Sequence, residues 1–207
     1  TKLKNSIDDV DFLKRTIKIL ENKGCTDSDL FFELSKMLYD IEPTPSLAYA
    51  MSKFSISNKE PSNAIIYAKQ AIDMELEQRE KAIYYLGLAD AYRASFYYSK
   101  ARDAVYNALE IRDGWGEAYM SLGNIYIAGA KACGSDFEQT TVYWVAVDAF
   151  RQATSDEDTR ERANKNINTY SKYFPTKETC FFNGVDAGKS HMVGCWINKN
   201  TIARTSD

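Results

Sequence analysis

Four positions spaced 3, 1 and 3 residues apart, Tyr85, Leu88, Ala89 and Tyr92, return 34 residues later as Tyr119, Leu122, Gly123 and Tyr126. Large, large, small and large character is kept at every step. That spacing puts all four on one face of a helix, and the small residue lets a neighbouring helix come close. A period of this length narrows the fold sharply. Each copy is one helical unit that cannot bury its apolar face alone, so copies must stack.

A second helix with its own small residues follows each first one. Ala64, Ala68 and Ala71 match Ala101, Val105 and Ala108 at an offset of 37, and then Ala146, Phe150 and Ala153 at a further 45. The first excess over 34 comes from a linker longer by three residues around Leu76 to Arg79. The second comes from eleven extra residues between Tyr126 and Ala146, which we expect to form a loop.

The order Tyr, Leu-small, Tyr, Ala, Val or Phe, Ala resembles the tetratricopeptide repeat (TPR). It stands as Tyr85, Leu88, Ala89, Tyr92, Ala101, Val105, Ala108 and as Tyr119, Leu122, Gly123, Tyr126, Ala146, Phe150, Ala153. A degenerate copy precedes them, keeping Met51, Ser52, Ala64 and Ala71 but with Ser55 at a tyrosine position. Asp113 before Gly114 replaces the family's proline between repeats. The resemblance implies an all-α antiparallel helix-pair solenoid, an α-α superhelix. Its repeats cover residues 45–155: 45–78 degenerate, 82–115, and 116–155 with the insertion at 130–141. Ala132-Cys133-Gly134-Ser135, the run from Val142 to Asp148 and the run from Tyr173 to Glu178 are similar to TPR proteins of Bacteroidetes-type bacteria, which hints at the cell envelope. Localisation stays open between envelope or periplasm and cytoplasm.

Residues 1–44 form an N-terminal helix pair. Val10, Leu13, Ile17 and Leu20 keep helical spacing and Gly24 ends the run. Thr26-Asp27-Ser28-Asp29 then caps a helix carrying Leu30, Leu34 and Leu38. Pro45 suits a first helical position. Residues 156–175 form a polar capping helix opened by Ser155-Asp156-Glu157-Asp158 and closed at Pro175. Residues 176–207 form a loop and a short C-terminal β-hairpin, with strands at 191–197 and 201–205 joined by Asn198-Lys199-Asn200. A lone hairpin is marginal in water, so it should dock on the helices through Phe181, Phe182, Trp196 or Ile202.

Composition excludes several functions. With 26 basic and 29 acidic residues and no basic run, nucleic acid is not an expected partner. No stretch reaches the ~18 apolar residues of a membrane span. The chain opens Thr1-Lys2-Leu3, which suggests a processed or trimmed piece of something longer. Cys25, Cys133, Cys180 and Cys195 lack metal or redox spacing and read mainly as buried thiols. Cys180 and Cys195, fifteen residues apart, are the pair that would bridge in an oxidising compartment. The run Gly184-Val185-Asp186-Ala187-Gly188-Lys189-Ser190 evokes a phosphate loop but is one residue short and precedes a strand, so it reads as a turn. His191, the only histidine, cannot by itself assemble a metal site or a catalytic dyad. Asp8-Asp9-Asp11 and Asp156-Glu157-Asp158 sit where helix starts favour carboxylates. Tyr84, Tyr97, Tyr98 and Tyr143 fall outside the repeat core and are candidates for surface contacts. No enzyme activity and no cofactor is expected.

The resemblance implies that first helices line a groove for a peptide or protein segment. Its lining here is Tyr49 and Lys53, then Leu86, Asp90 and Arg93, then Met120, Asn124 and Ile127. Family members that grip a terminal carboxylate use a clamp of Lys, Asn and Arg, and only Asn124 fits it, so an apolar or mixed segment is the expected ligand. Packing against the insertion or tail would account for these residues equally well. The expected function is a non-catalytic protein-binding or peptide-binding scaffold in a larger bacterial protein; the alternative is an accessory or regulatory domain of an enzyme whose catalytic part lies upstream.

Overall fold

Polar side-chain caps set half of the helix starts. In a computed structural model that describes residues 10–26 and 28–206, Ser28 accepts from the Phe31 amide at 3.2 Å and Thr44 from the Leu47 amide at 3.3 Å. Asp156 accepts from the Asp158 amide at 3.1 Å, and Thr176 from the Thr179 amide at 3.1 Å. Each satisfies an amide that the first helical turn leaves unpaired. Asp8, Asp9 and Asp27 lie outside the described residues. Pro45 and Pro61 occupy first-turn positions, where the missing N–H costs nothing.

The resulting helices are α1 (Val10–Asn22), α2 (Asp29–Ile41), α3 (Pro45–Ser57), α4 (Pro61–Met74), α5 (Gln78–Ala94), α6 (Tyr98–Ile111), α7 (Gly116–Ala128), α8 (Asp136–Ala153), α9 (Glu157–Tyr170) and the short α10 (Lys177–Phe182). Strands β1 (Ser190–Val193) and β2 (Lys199–Ile202) follow. Within each unit successive helices pack antiparallel in adjacent pairs, an all-α helical-repeat architecture ending in a two-stranded antiparallel hairpin. Residues up to Ser95 form one compact unit and those from Phe96 another. The division falls at the turn between α5 and α6.

In the first unit, Leu13, Ile17, Phe31, Leu34, Leu38 and Leu47 form one buried cluster joining α1, α2 and α3. Leu30, expected on the inner face, is exposed; Phe31 takes that place. Next along the unit, Ala64, Ala68 and Ala71 are fully buried. Ser52 lies opposite, its hydroxyl donating to the Ala64 carbonyl at 2.9 Å, so the α3–α4 contact is close enough for a buried polar tie.

In the second unit, Ala101, Val105, Ala108, Ala146, Phe150 and Ala153 are all 0% exposed. A Cβ at Gly123 would lie 2.5 Å from the Phe150 ring, so the small repeat position is what lets α7 and α8 close on each other. The Asp156 carboxylate also accepts from the Gly116 amide at 3.0 Å, tying the start of α7 to that of α9.

Two expectations need correction. The insertion is only partly loop: a 3-10 turn at Ala130–Ala132 is followed at Asp136 by α8, which runs 18 residues. Ser135 and Glu138 form a reciprocal capping box there, so the helix starts well before the repeat pattern resumes. Ser135 donates its amide to the Glu138 carboxylate at 2.7 Å, which holds that carboxyl below the usual range. The hairpin also differs from expectation. Its strands are shorter, pair Ser190 with Ile202 and Val193 with Lys199, and are joined by residues 194–198. Cys195 and Asn198 adopt positive φ in that connection, a conformation incompatible with a continued strand.

Because the Phe150 ring is fully enclosed, it cannot swing away from an added methyl at residue 123. Gly123→Ala is expected to cost about 1–3 kcal/mol, measured as a lower urea midpoint with unchanged slope.

Candidate binding surfaces

In the first unit, the expected groove residues of α3 and α5 lie together. Tyr49 packs its ring onto Gly87, where a Cβ would stand 2.4 Å from it, and sits 5.1 Å from the Tyr84 ring. Lys53 lies over the Tyr49 ring at 4.9 Å, a cation–π arrangement. Asp90 and Arg93 pair at 3.1 Å along α5, and Leu86 is half-buried beside them. Burial first, and the Asp90 charge second, push the Tyr49 phenol above its ordinary pKa. The patch therefore offers an aromatic ring, a lysine and an ion pair on one face, with the charges held at the surface.

In the second unit, α7 presents Asn124, which is exposed, and Ile127, which is half-buried. Met120 is 6% exposed, so its side chain belongs to the interior. Tyr84, expected at the surface, is also 6% exposed. Burial, followed by the Glu75 carboxylate, pushes its phenol up to about 12. Tyr97 is exposed, and Tyr143 stacks on Tyr173 with ring centres 5.2 Å apart.

Sequence reasoning missed the strength of the C-terminal docking. Trp196 lies 5.5 Å from the Tyr98 ring and 5.8 Å from the Tyr126 ring, and its indole N–H donates to the Gly129 carbonyl at 3.1 Å. The Arg102 guanidinium donates to the carbonyls of Trp196 and Ile197 at 2.6 and 3.0 Å. The indole of Trp144 donates to the Arg204 carbonyl at 2.7 Å, while Asp148 accepts from Thr201 and pairs with Arg204 at 2.8 Å. Val193, Ile197 and Ala203 supply the apolar contact. Of the four anchors expected, only Trp196 acts as one; Phe181, Phe182 and Ile202 are 79%, 75% and 50% exposed.

The cysteine pairing is likewise not the one expected. Cys195 is bonded to Cys133, with Cα atoms 5.5 Å apart, and Cys180 is buried elsewhere in the unit. Docking Trp196 beside Gly129 carries Cys195 to the turn after α7, where Cys133 lies. Proximity in sequence to Cys180 has no part in it.

The remaining chemical candidates have structural roles. The stretch from Gly184 to Ser190 turns from α10 into β1, with Gly184 and Gly188 at φ of 67° and 82°, so a strand and not a helix follows it. His191 meets the rings of Phe137 and Trp144 edge-on. Among the described residues no group of three His, Cys, Asp or Glu is placed to hold a metal ion. No described helix is long and apolar enough to cross a membrane.

No protein-family model matches the sequence, and no curated protein matches it. The fold is similar to that in a crystal structure of MamA protein, at 21% sequence identity and a TM-score of 0.57, over 77% of this chain and 79% of that one. The fold is thus TPR-like, in line with the repeat signature.

Two outcomes follow from these contacts. Alkylation of the unfolded, non-reduced protein should label Cys25 and Cys180 and spare Cys133 and Cys195, and reduction should lower stability by about 2–4 kcal/mol. The fold pushes the Tyr84 phenol from its ordinary 10.0 up to about 12. Its contribution is therefore complete below pH 10 and is lost as pH rises between the two values. Urea titrations across that window should show the decline, and Tyr84→Phe should make it shallower, the raised Tyr49 and Tyr126 phenols supplying the remainder.

Proposed function

We propose that this chain is a non-catalytic scaffold module that holds a protein or peptide segment on its first-helix faces. The observation that carries the reading is the gathering of Tyr49, Lys53, Asp90 and Arg93 on one face of α3 and α5. Tyrosine and arginine are favoured interface anchors, and a lysine over a ring is held ready for contact. Asn124 and Ile127 offer a smaller face of the same kind on α7. Met120 contributes from within, by packing.

A ligand suited to the first face carries apolar surface for the Tyr49 ring and mixed charge for Lys53, Asp90 and Arg93. The TPR-like fold supports this role, since stacked helical pairs present extended surfaces to partners. The similarity of the insertion and tail to Bacteroidetes-type TPR proteins supports a place within a larger bacterial protein. The disulfide between Cys133 and Cys195 favours an oxidising compartment, such as the cell envelope, over the cytoplasm.

The test is a pull-down from the native organism with the intact chain and with Asp90→Ala, Arg93→Ala and Asn124→Ala. Recovery of a partner by the parent chain, and its loss by at least about fivefold in the Arg93 variant, is the expected result. Undiminished recovery in all three would overturn the first-helix faces as the binding surface.

A further inference from the structure

The second unit holds a cleft of about 750 Å³ on a different face, within the range of ligand sites. Its apolar lining is Tyr106, Leu109, Tyr119 and Leu122, from α6 and α7. The Tyr106 hydroxyl is hydrogen-bonded to that of Tyr126 at 3.1 Å, which fixes the ring. Glu110 and Asp113 line it at the C-terminal end of α6, where the helix dipole adds negative potential. Lys199 lines it from β2 and also lines the adjoining hollow of about 270 Å³, where Arg151 of α8 is paired with Asp148 at 3.6 Å. Neither Glu110 nor Lys199 has an ion-pair partner among the described residues.

This arrangement is built. Arg102 grips the carbonyls of Trp196 and Ile197, and the Asp148–Thr201–Arg204 contacts hold the other side of β2, so Lys199 is delivered to the cleft by the docked hairpin. The cleft thus carries negative charge at Glu110 and Asp113 on its α6 wall and an unpaired positive charge at Lys199 on its β2 wall, with an aromatic and leucine floor between.

We propose that this cleft binds an extended peptide segment with a basic, a large apolar and an acidic side chain at alternate positions. In a strand, positions i, i+2 and i+4 point the same way, at about 6.5–7 Å per pair of residues. The basic group meets Glu110 and Asp113, the apolar one rests on Tyr119 and Leu122, and the acidic one meets Lys199. This surface is separate from the first-helix faces, so either assignment can fail without the other.

The probes are Ac-Arg-Ala-Leu-Ala-Glu-amide and its neutral counterpart Ac-Gln-Ala-Leu-Ala-Gln-amide, titrated into the isotopically labelled full chain and followed by backbone amide shifts. The first should bind saturably, with shifts confined to residues 106–113, 119–122, 148–152 and 199. It should weaken at least about fivefold in Glu110→Gln/Asp113→Asn and in Lys199→Gln, as should the neutral peptide on the parent chain. Equal binding of both peptides, saturable shifts elsewhere, or none at millimolar peptide would overturn the proposal. Shifts of the same amides on concentrating the protein alone would assign the cleft to a second copy of this chain and overturn the peptide occupant.

Discussion

Close approach between helices at small residues is the constraint on which the rest of this structure depends. Gly123 accepts the Phe150 ring, Gly87 accepts the Tyr49 ring, and the alanines of α4 and α6 lie fully buried. Small residues place the helices near enough for large ones to fill the space between pairs, and dispersion over that contact supplies much of the stability. In the first unit the same spacing brings α3 and α5 together so that outward residues of both share a face. Tyr49 illustrates the link between packing and function: its ring is seated by a glycine, and that seating holds it beneath Lys53.

The second unit adds a device that the repeat does not contain. A two-stranded hairpin has too little apolar surface to stand alone. Here it is fixed by an indole between two tyrosines, by arginine donating to its carbonyls, by Asp148 of α8 accepting from Thr201 of its second strand and by a disulfide. These contacts are mutually dependent, since the disulfide forms where Trp196 docks and Lys199 reaches the cleft because Arg102 holds the preceding turn. The hairpin thereby stabilises the last helices and shapes a charged, partly apolar cleft.

The repeat core was legible because it rests on local periodicity and residue size. Leu122, Tyr126, Ala146 and Phe150 occupy the interior that their spacing implied. Caps at Ser28 and Asp156 were legible for the same local reason. The start of α8 was readable in principle from Ser135 and Glu138, but the resumption of the repeat pattern at Ala146 drew the boundary too late. The disulfide was not readable, because 62 residues separate its partners and only docking of the tail brings them together. Of the expected groove, the α3 and α5 residues meet as a patch, while burial of Met120 depends on tertiary packing that a register argument does not contain. The cleft could not be read at all, since its two walls come from α6 and a strand almost ninety residues further on.

The central claim is that first-helix faces, rather than second-helix faces, hold the partner. Photo-crosslinking tests it most directly, with a benzophenone side chain placed singly at Lys53, Arg93 and Asn124 and, for comparison, at the exposed second-helix positions Lys69 and Asn107. Adducts to the same partner from positions 53, 93 and 124, and none from 69 and 107, are the predicted result. Adducts from 69 or 107 alone would contradict it.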